Sequence, residues 1–476
     1  MTLPRIKRCR RWLLAMPGFL AACSTPAQNR GDPSGSPDGS RIGIGDGGSI
    51  GVSDASNNSA CKNLQCQQRI CPDETTTTLT GTVYAPNGTL PLYNALVYIP
   101  NSPVPPATPG LSCDRCGGIP PGNPVVAALT DHRGVFELKN VPVGKNIPLV
   151  IQVGKWRRQA TVPEIVECQP NKLTNPEQTR LPRNRKEGDM PRIAITTGDC
   201  DNLVCLIPKL GIDPAEWGIA GEDKAVTFYA GAAYLEVNGL QKFGPHLAQM
   251  KDAASLWGKV EELSKYDMAI LSCECDELLD ENKPEAAFQA VTDYLARGGR
   301  VFGTDYQYVW LRYSSDPKLR SVMNIRGGSR IAENPVKLDT SFPKGKALAD
   351  WLSVIQPAST YGQVSCQHVF DNFSMPMQPA LQVWGSSRTP DVPDETRPRF
   401  VTVNTPVGLP PEKQCGRAVD LDAHVTLTAP DVLKSYPQDC GTTLRPGEEV
   451  LAFFFFDIAS CIQEDTKDPE PPPIVR

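Results

Sequence analysis

Several acidic residues follow short segments that have the pattern of buried strands. Glu274 follows the segment 268–271, Asp305 follows the segment 300–303, and His424 stands late in the chain. Ligands of open α/β sheets bind beyond the carboxyl ends of the strands, so we expect these three side chains at that edge. Carboxylates gathered there bind a cation or a sugar, or act as general acid and base. The competing interpretation is that they cap helices and are solvated, since Asp is a common helix cap.

Asp305, Glu274 and His424 are the candidates for catalysis, which is the alternative hypothesis, and a non-catalytic binding surface is the favoured one. The segment 304–313, TDYQYVWLRY, holds four aromatic side chains that could form a sugar platform or pack in a core. Trp156 beside two arginines in GKWRRQ is a combination enriched at interfaces, although a solvated hairpin end also explains it. The candidate binding residues are Asp199, Tyr306, Tyr308, Trp310, Trp156, Arg157 and Arg158.

From about residue 190 the sequence alternates between strand patterns and helix patterns. PRIAITTGDC gives an apolar strand and a turn, and the strand at 268–271 follows an amphipathic segment. The helix pattern in EAAFQAVTDYLARGG ends at Gly298 and Gly299, before the strand at 300–303. Strands that alternate with helices predict a doubly wound, mostly parallel sheet, and we expect β-strand additions late in this α/β domain.

Residues 76–190 have a different pattern, in which short alternating runs are separated by turn residues. This pattern predicts a small β-sandwich. The segments LTGTVYAPNGTLPLYNALVYIPN and ALTDHRGVFELKNVPVGKNIPLVIQVG resemble the carboxypeptidase regulatory-like, or transthyretin-like, domain. That resemblance implies an accessory role for this region. The inserted loop 101–124, which carries Cys113 and Cys116, departs from the family pattern.

The later region carries a second resemblance. YDMAILSC and YLARGGRVFGTDY resemble the class I glutamine-amidotransferase-like superfamily, and more nearly its trehalose-utilisation-type branch. CGRAVDLDAHV resembles the late strand of that branch and places His424 at its histidine. Such amidotransferases carry a cysteine nucleophile on a strained turn between strand and helix, activated by a histidine. The comparable turn, 303–306, has no cysteine, so the nucleophile is absent there. Cys273 is the other nucleophile candidate, with Glu274 and His246 or His424 as partners.

The N-terminus has the pattern of an export signal with a lipid attachment point. Five basic residues accompany an apolar run at 12–20 that is too short to span a bilayer. Leu20-Ala21-Ala22-Cys23 resembles the bacterial lipobox, which implies diacylation of Cys23 and cleavage before it. Ser24 after the cysteine favours the outer membrane. Removing residues 1–22 changes the formal net charge from −5 to −10, which argues against nucleic acid as a partner.

The remaining cysteines predict a disulfide framework. Of the 16 cysteines, those outside the signal and the lipid anchor fall into three even-numbered groups, which predicts up to seven disulfides within regions. Cys205 and Cys273 are the favoured pair near the strand ends. Zinc at Cys113 and Cys116 is disfavoured because a second CxxC pair is missing, and we expect no metal and no cofactor. The candidates for disulfides near the strand ends are Cys200, Cys205, Cys273 and Cys275.

The sequence as a whole predicts a two-domain β plus α/β protein of the bacterial cell envelope. The order of its segments resembles uncharacterised lipoproteins from myxobacteria and their relatives. We expect a lipid-anchored, non-catalytic module that binds or scaffolds a polysaccharide, peptidoglycan or an envelope protein. The alternative is a hydrolase of envelope carbohydrate that uses the strand-end residues. The predicted segments are a signal peptide (1–22), a tether (23–60), a Cys-rich segment (61–75), a β-sandwich (76–190), an α/β domain (191–464) and a Pro-rich acidic tail (465–476).

Overall fold

A computed structural model describes residues 61–474 apart from Asn202, 233–238, Glu281, Ser329, Pro393 and 427–432. The predicted signal peptide, the tether and the lipidation site Cys23 lie outside the described residues. Ala60–Arg476 clusters as one compact unit. Among the described residues, no helix combines the length and apolar character that a membrane crossing requires.

Two sheets form from the alternating runs of residues 76–190. One has the strand order β4-β1-β7 and the other has the order β3-β2-β5-β6-β8. Leu79 and Phe136 of the first sheet and Val97 and Ile151 of the second are all buried in one hydrophobic cluster. The strands are β1 Thr78–Thr82, β2 Leu96–Pro100, β3 Pro124–Leu129, β4 Val135–Lys139, β5 Gly144–Val153, β6 Trp156–Ile165, β7 Pro170–Lys172 and β8 Gly188–Asp189.

The remainder of the chain builds a ten-stranded mixed sheet with flanking helices. Its order is β10-β11-β9-β12-β13-β21-β20-β19-β15-β16. Neighbours from β10 to β21 pair in parallel, and the later neighbours pair antiparallel. The predicted α/β character is therefore confirmed. The strands are β9 Ile193–Thr196, β10 Trp217–Ile219, β11 Val226–Tyr229, β12 Met268–Leu271, β13 Arg300–Thr304, β14 Met323–Ile325, β15 Val336–Leu338, β16 Gln363–Val364, β17 His368–Val369, β18 Phe373–Pro376, β19 Leu381–Arg388, β20 Thr396–Thr405, β21 Gly416–Leu421 and β22 Ala423–His424.

Most described helices are short, and three of them exceed ten residues. The α-helices are α1 Pro176–Thr179, α2 Leu206–Lys209, α3 Gly244–Leu247, α4 Ala254–Trp257, α5 Val260–Leu263, α6 Glu285–Ala296, α7 Val309–Arg312, α8 Pro317–Arg320, α9 Pro343–Ile355 and α10 Pro446–Ala459. The 3₁₀ helices are Asn63–Gln67, Pro72–Glu74, Leu203–Cys205, Pro214–Glu216, Gly239–Phe243, Asp305–Tyr308, Pro411–Lys413 and Gln438–Cys440.

Helix α10 joins the β region to the ten-stranded sheet. Most side chains in its sequence PGEEVLAFFFFDIA are apolar and buried, and the acidic Glu448 and Asp457 pair with Lys209 and Lys344. The Trp156 ring of β6 lies 5.8 Å from the Phe455 ring, and the Trp384 ring of β19 lies 4.9 Å from the Phe454 ring. Gly154, with φ +55°, turns the chain between β5 and β6 where a Cβ would collide with the Ala459 carbonyl. Both regions therefore share one hydrophobic core around α10.

The disulfides differ from the predicted arrangement. Six form among the described cysteines, and Cys273 and Cys366 are buried free thiols. The predicted Cys205–Cys273 pair is wrong, and so is the restriction of bridges to single regions. The cause is the shared core, which brings the inserted loop of the β region against the ends of β21 and α10. The pairs are Cys61–Cys66, Cys71–Cys168, Cys113–Cys415, Cys116–Cys461, Cys200–Cys275 and Cys205–Cys440.

Candidate functional site

Three chemically different side chains meet at the carboxyl ends of adjacent strands. Cys273 follows β12, Asp305 follows β13 directly, and His424 lies in β22 shortly after β21. Because β12, β13 and β21 are neighbours in the parallel part of the sheet, their ends lie at one edge. The sulfur, carboxylate and imidazole ligand atoms all lie within 4.8 Å of one another. We call these three residues the strand-end cluster.

Asp305 is the centre of the strand-end cluster. Its Oδ2 lies 3.0 Å from His424 Nε2 and 3.5 Å from Cys273 Sγ. Its other oxygen, Oδ1, accepts a hydrogen bond from Asn372 Nδ2 at 3.0 Å. The same amide nitrogen donates to Asp422 Oδ1 at 2.7 Å. The sequence did not predict Asn372 and Asp422 at this site, because nothing in their local pattern places them near residue 305.

The backbone of Asp305 is itself unusual. Its φ is +44°, in the left-handed region that non-glycine residues rarely occupy, where β13 turns into the 3₁₀ helix Asp305–Tyr308. Backbone conformations of this kind cost about 1–3 kcal/mol and concentrate at functional sites. This is the turn at which the amidotransferase resemblance places a nucleophile. Here an aspartate occupies the position.

The strand-end cluster is almost closed to solvent. Cys273 is 0% exposed, Asp305 is 1% exposed and His424 is 8% exposed. The His424 ring packs against Phe370 with the ring centres 4.7 Å apart, and β22 pairs with β17 so that His368 lies opposite. A polymeric substrate therefore has no direct access to the Asp305 carboxylate in this conformation.

Burial dominates the electrostatics of the site. It raises the pKa of Cys273 well above the usual value, and the Asp305 charge adds to this, so the thiol stays protonated. Burial alone would lower the pKa of His424, but the hydrogen bond to Asp305 and the nearby carboxylates raise it. Burial also raises the pKa of Asp422 to about 7 and that of Asp420 well above the usual range. A protonated thiol is a poor nucleophile, so the geometry does not activate Cys273.

The crevice where ligands of open α/β sheets usually bind is filled. Strand order reverses between β9 and β12, which makes their carboxyl ends the expected binding position. Gly198 packs so closely on the Cys273 carbonyl that a Cβ would not fit, and Ser272 Oγ donates to Thr196 O at 2.6 Å. The Cys200–Cys275 disulfide crosses the same position. Ligand entry here would need these contacts to open.

Glu274 lies near the strand ends but is not part of the strand-end cluster. Its Oε2 lies 2.7 Å from Lys283 Nζ, with both side chains at most 2% exposed. Its Oε1 accepts a hydrogen bond from the Ala232 backbone N–H at 2.9 Å. Glu274 thus holds the chain after β11 against the segment after β12.

The aromatic binding candidates after β13 are mostly internal. Tyr308 is fully buried and donates to Glu277 Oε1 at 2.8 Å, and Trp310 Nε1 donates to Gln307 Oε1 at 2.8 Å. Tyr306 is half-buried, with its ring centre 5.8 Å from that of Tyr308. Asp199 is half-buried as well. The segment 304–313 therefore packs mainly in the core, which was the alternative to a sugar platform.

The GKWRRQ hairpin is not an exposed surface, contrary to its appearance in the sequence. Trp156 is 0% exposed and its Nε1 donates to Pro182 O at 2.9 Å. Arg157 is 3% exposed and donates through Nε to Asp189 Oδ2 at 3.0 Å, while Arg158 is half-buried. Phe455 and Phe456 of α10 cover Trp156, whereas Asp189 and the Pro105 carbonyl bind Arg157.

An open cleft lies beside the inserted loop. Its volume is about 530 Å³, and it is bounded by the loop, the β5–β6 hairpin and the segment after α10. Cys113 and Cys116 line it, and their disulfides to Cys415 and Cys461 fix the loop. We call this the loop cleft. The presence of two cysteines in the insertion is the feature of the sequence that indicates a covalent attachment of this loop to another segment. Both are in disulfides, so neither offers a thiolate to a metal.

Comparisons with known proteins give a weak likeness of fold. No family model and no curated protein matches the chain. A ThuA-like protein from Bacteroides uniformis, 10% identical, covers 56% of this chain and 91% of its own at a TM-score of 0.29. A GMP synthase component from Thermoplasma acidophilum, 8% identical, covers 56% of this chain and 94% of its own at a TM-score of 0.27. At these TM-scores the likeness carries no argument about function.

Proposed function

We propose that the protein is a lipid-anchored module of the bacterial cell envelope that binds or scaffolds an envelope component without catalysis. The observation that carries this proposal is the closure of the strand ends, where Cys273 and Asp305 are 0% and 1% exposed. Six disulfides indicate an oxidising compartment outside the cytoplasm. An exported, non-catalytic scaffold agrees with both the closed strand ends and the disulfides.

The loop cleft is the binding surface that we favour. It is open, and the two disulfides of the inserted loop remove much of the conformational entropy that binding would otherwise cost. Arg115 and Asp114 place opposite charges on its wall, among backbone groups of a Pro/Gly-rich loop. Such a wall suits a polar polymer or an extended protein segment. A polysaccharide, peptidoglycan or an envelope protein is the expected ligand.

The lipid anchor follows from the lipobox-like sequence at Cys23. Diacylation there would hold the tether and the folded region at the membrane, because two acyl chains anchor firmly where one does not. Metabolic labelling with an alkyne fatty acid tests this directly. Wild-type protein should be labelled and fractionate with the outer membrane, while Cys23→Ser should lose both properties. Labelling that survives in Cys23→Ser would contradict the assignment.

The binding proposal is tested with residues 24–476 made in an oxidising compartment. The soluble protein is incubated with polysaccharides and peptidoglycan fragments, and both retention and released products are recorded. Gly118→Trp should block the loop cleft, because open space surrounds Gly118 and its backbone needs no special conformation. Met375→Trp is the matched control, since Met375 is 55% exposed and lies outside the loop cleft.

Each outcome of this experiment has a distinct meaning. Retention without new products, lost in Gly118→Trp and kept in Met375→Trp, would support a non-catalytic module with this binding surface. Retention that both variants keep would move the ligand to another surface. Failure to retain any carbohydrate would make an envelope protein the expected ligand. Released products would overturn the non-catalytic proposal.

One observation favours the alternative, a hydrolase of envelope carbohydrate. Asp305 occupies a strained turn and lies 3.0 Å from His424, an arrangement that could supply an acid and a base. Alanine at Asp305 and at His424 separates the two functions. Loss of a measured turnover, with circular dichroism and the thermal midpoint unchanged, would establish the hydrolase.

A further inference from the structure

The strand-end cluster combines one sulfur, one carboxylate oxygen and one imidazole nitrogen within a radius suited to a single ion. We propose that Cys273, Asp305 and His424 bind a divalent transition metal ion, with Zn²⁺ as the expected occupant. Zinc accepts S, O and N ligands together, whereas calcium and magnesium require oxygen ligands. This inference is independent of the proposed binding function.

Two of the three distances between the ligand atoms are close to those that one small ion requires. Ordinary zinc bonds to sulfur, nitrogen and oxygen in a tetrahedral arrangement place the ligand atoms about 3.4–3.6 Å apart. Asp305 Oδ2 lies 3.5 Å from Cys273 Sγ and 3.0 Å from His424 Nε2. The remaining sulfur–nitrogen separation is within 4.8 Å. Tetrahedral zinc geometry would need the Asp305 carboxylate to shift by a few tenths of an ångström. The Cys273 sulfur and the His424 imidazole would also need to move closer together.

Neighbouring groups hold the ligands in the required orientation. Asn372 donates to Asp305 Oδ1 and leaves Oδ2 directed at the sulfur and the imidazole. The Cys275 backbone N–H donates to Cys273 Sγ at 3.4 Å, which stabilises negative charge on the sulfur. Outer hydrogen bonds of this kind orient metal ligands and tune the affinity of metal sites.

Two further buried carboxyl groups lie beside the site. Asp420 and Asp422 are buried close to Asp305, and Asp420 Oδ1 has no hydrogen-bond partner among the described residues. Arg399, the nearby guanidinium, lies 3.7 Å from Asp422 and is shared with Asp371 at 3.1 Å. A divalent ion at the strand-end cluster would stabilise the ionised form of these neighbouring carboxyl groups. Binding releases the thiol proton of Cys273 to solvent, and His424 binds as neutral imidazole.

The test uses residues 24–476 purified in oxidised form, with Zn²⁺ and Co²⁺ as the probes. After removal of metal with a chelator, the protein should take up one Zn²⁺ per chain by elemental analysis. Co²⁺ should produce a thiolate-to-cobalt charge-transfer band in the near ultraviolet. Cys273→Ser should abolish that band. Asn372→Ala should weaken zinc affinity about 10- to 100-fold, as expected for loss of an outer hydrogen bond.

The chain offers a matched control in Cys366, its other buried free thiol among the described residues. Cys366→Ser should keep the charge-transfer band and the zinc stoichiometry. A wild-type protein that takes up no zinc, a band that survives in Cys273→Ser, or a Cys273–Cys366 disulfide in peptide mapping would each overturn the proposal. If a variant does not fold, the zinc stoichiometry and the cobalt charge-transfer band of the wild-type protein still test the proposed metal site.

Discussion

Removing the Cys116–Cys461 disulfide should destabilise the protein substantially. This bridge joins the inserted loop to the end of α10 across a sequence separation of 345 residues. The change is the double substitution Cys116→Ser with Cys461→Ser, so that neither half of the bridge is left as an unpaired thiol. Its effect measures how firmly the β region and the ten-stranded sheet are joined.

The expected magnitude depends on the neighbouring bridge. With Cys113–Cys415 intact, the Cys116–Cys461 bridge closes a loop of about 50 residues rather than one of several hundred. The loop-entropy relation then gives a loss of about 4 kcal/mol in the free energy of unfolding. The same relation gives about 2 kcal/mol for the Cys61–Cys66 bridge, whose sequence separation is 5.

Urea unfolding followed by tryptophan fluorescence and far-ultraviolet circular dichroism measures these losses. Linear extrapolation gives the free energy of unfolding for the wild type and for both double variants. The Cys61→Ser, Cys66→Ser variant is the matched control, because it also removes one disulfide. Coincident transitions from the two probes in the wild type would show that the shared core unfolds as one unit.

A Cys116–Cys461 variant that loses no more stability than the Cys61–Cys66 variant would contradict this expectation. That result would mean that the inserted loop is not covalently joined to the end of α10. Peptide mapping of the wild type under non-reducing conditions would then be expected to show a different partner for Cys116.

Three further changes test the buried groups. Burial raises the pKa of Glu449 from 4.5 to about 8. The free energy of unfolding should therefore fall as pH rises from about 4.5 to about 8, by at most about 1.4 kcal/mol per pH unit. Glu449→Gln should flatten this pH dependence in thermal unfolding. Trp156→Ala should cost about 3–5 kcal/mol in urea unfolding, and a loss no larger than that of Arg158→Ala would contradict the burial of this tryptophan. Lys283→Met should lower the free energy of unfolding by about 3–5 kcal/mol, because it leaves the buried Glu274 carboxylate without its ion-pair partner. The double variant with Glu274→Met should regain most of this loss. A double variant that regains none of it would refute the ion pair.

Local patterns predict the strands near the site well. The strand at 268–271 and the helix before β13 are where the hydrophobic spacing places them, since each depends on neighbours within a few positions. The position of Asp305 and His424 at one edge also follows from parallel pairing. The free state of Cys273 could not be predicted, because Cys205 has a partner 235 residues away in sequence.

Composition and periodicity are local properties, and from them the sequence predicts a disulfide-rich chain with a β region followed by strands that alternate with helices. Three facts required the folded structure: which cysteines pair, that α10 buries Trp156, and that Asn372 orients Asp305 beside Cys273 and His424. These facts depend on contacts between segments far apart in the chain. Such contacts are set by the packing of the shared core, which no short stretch of sequence specifies.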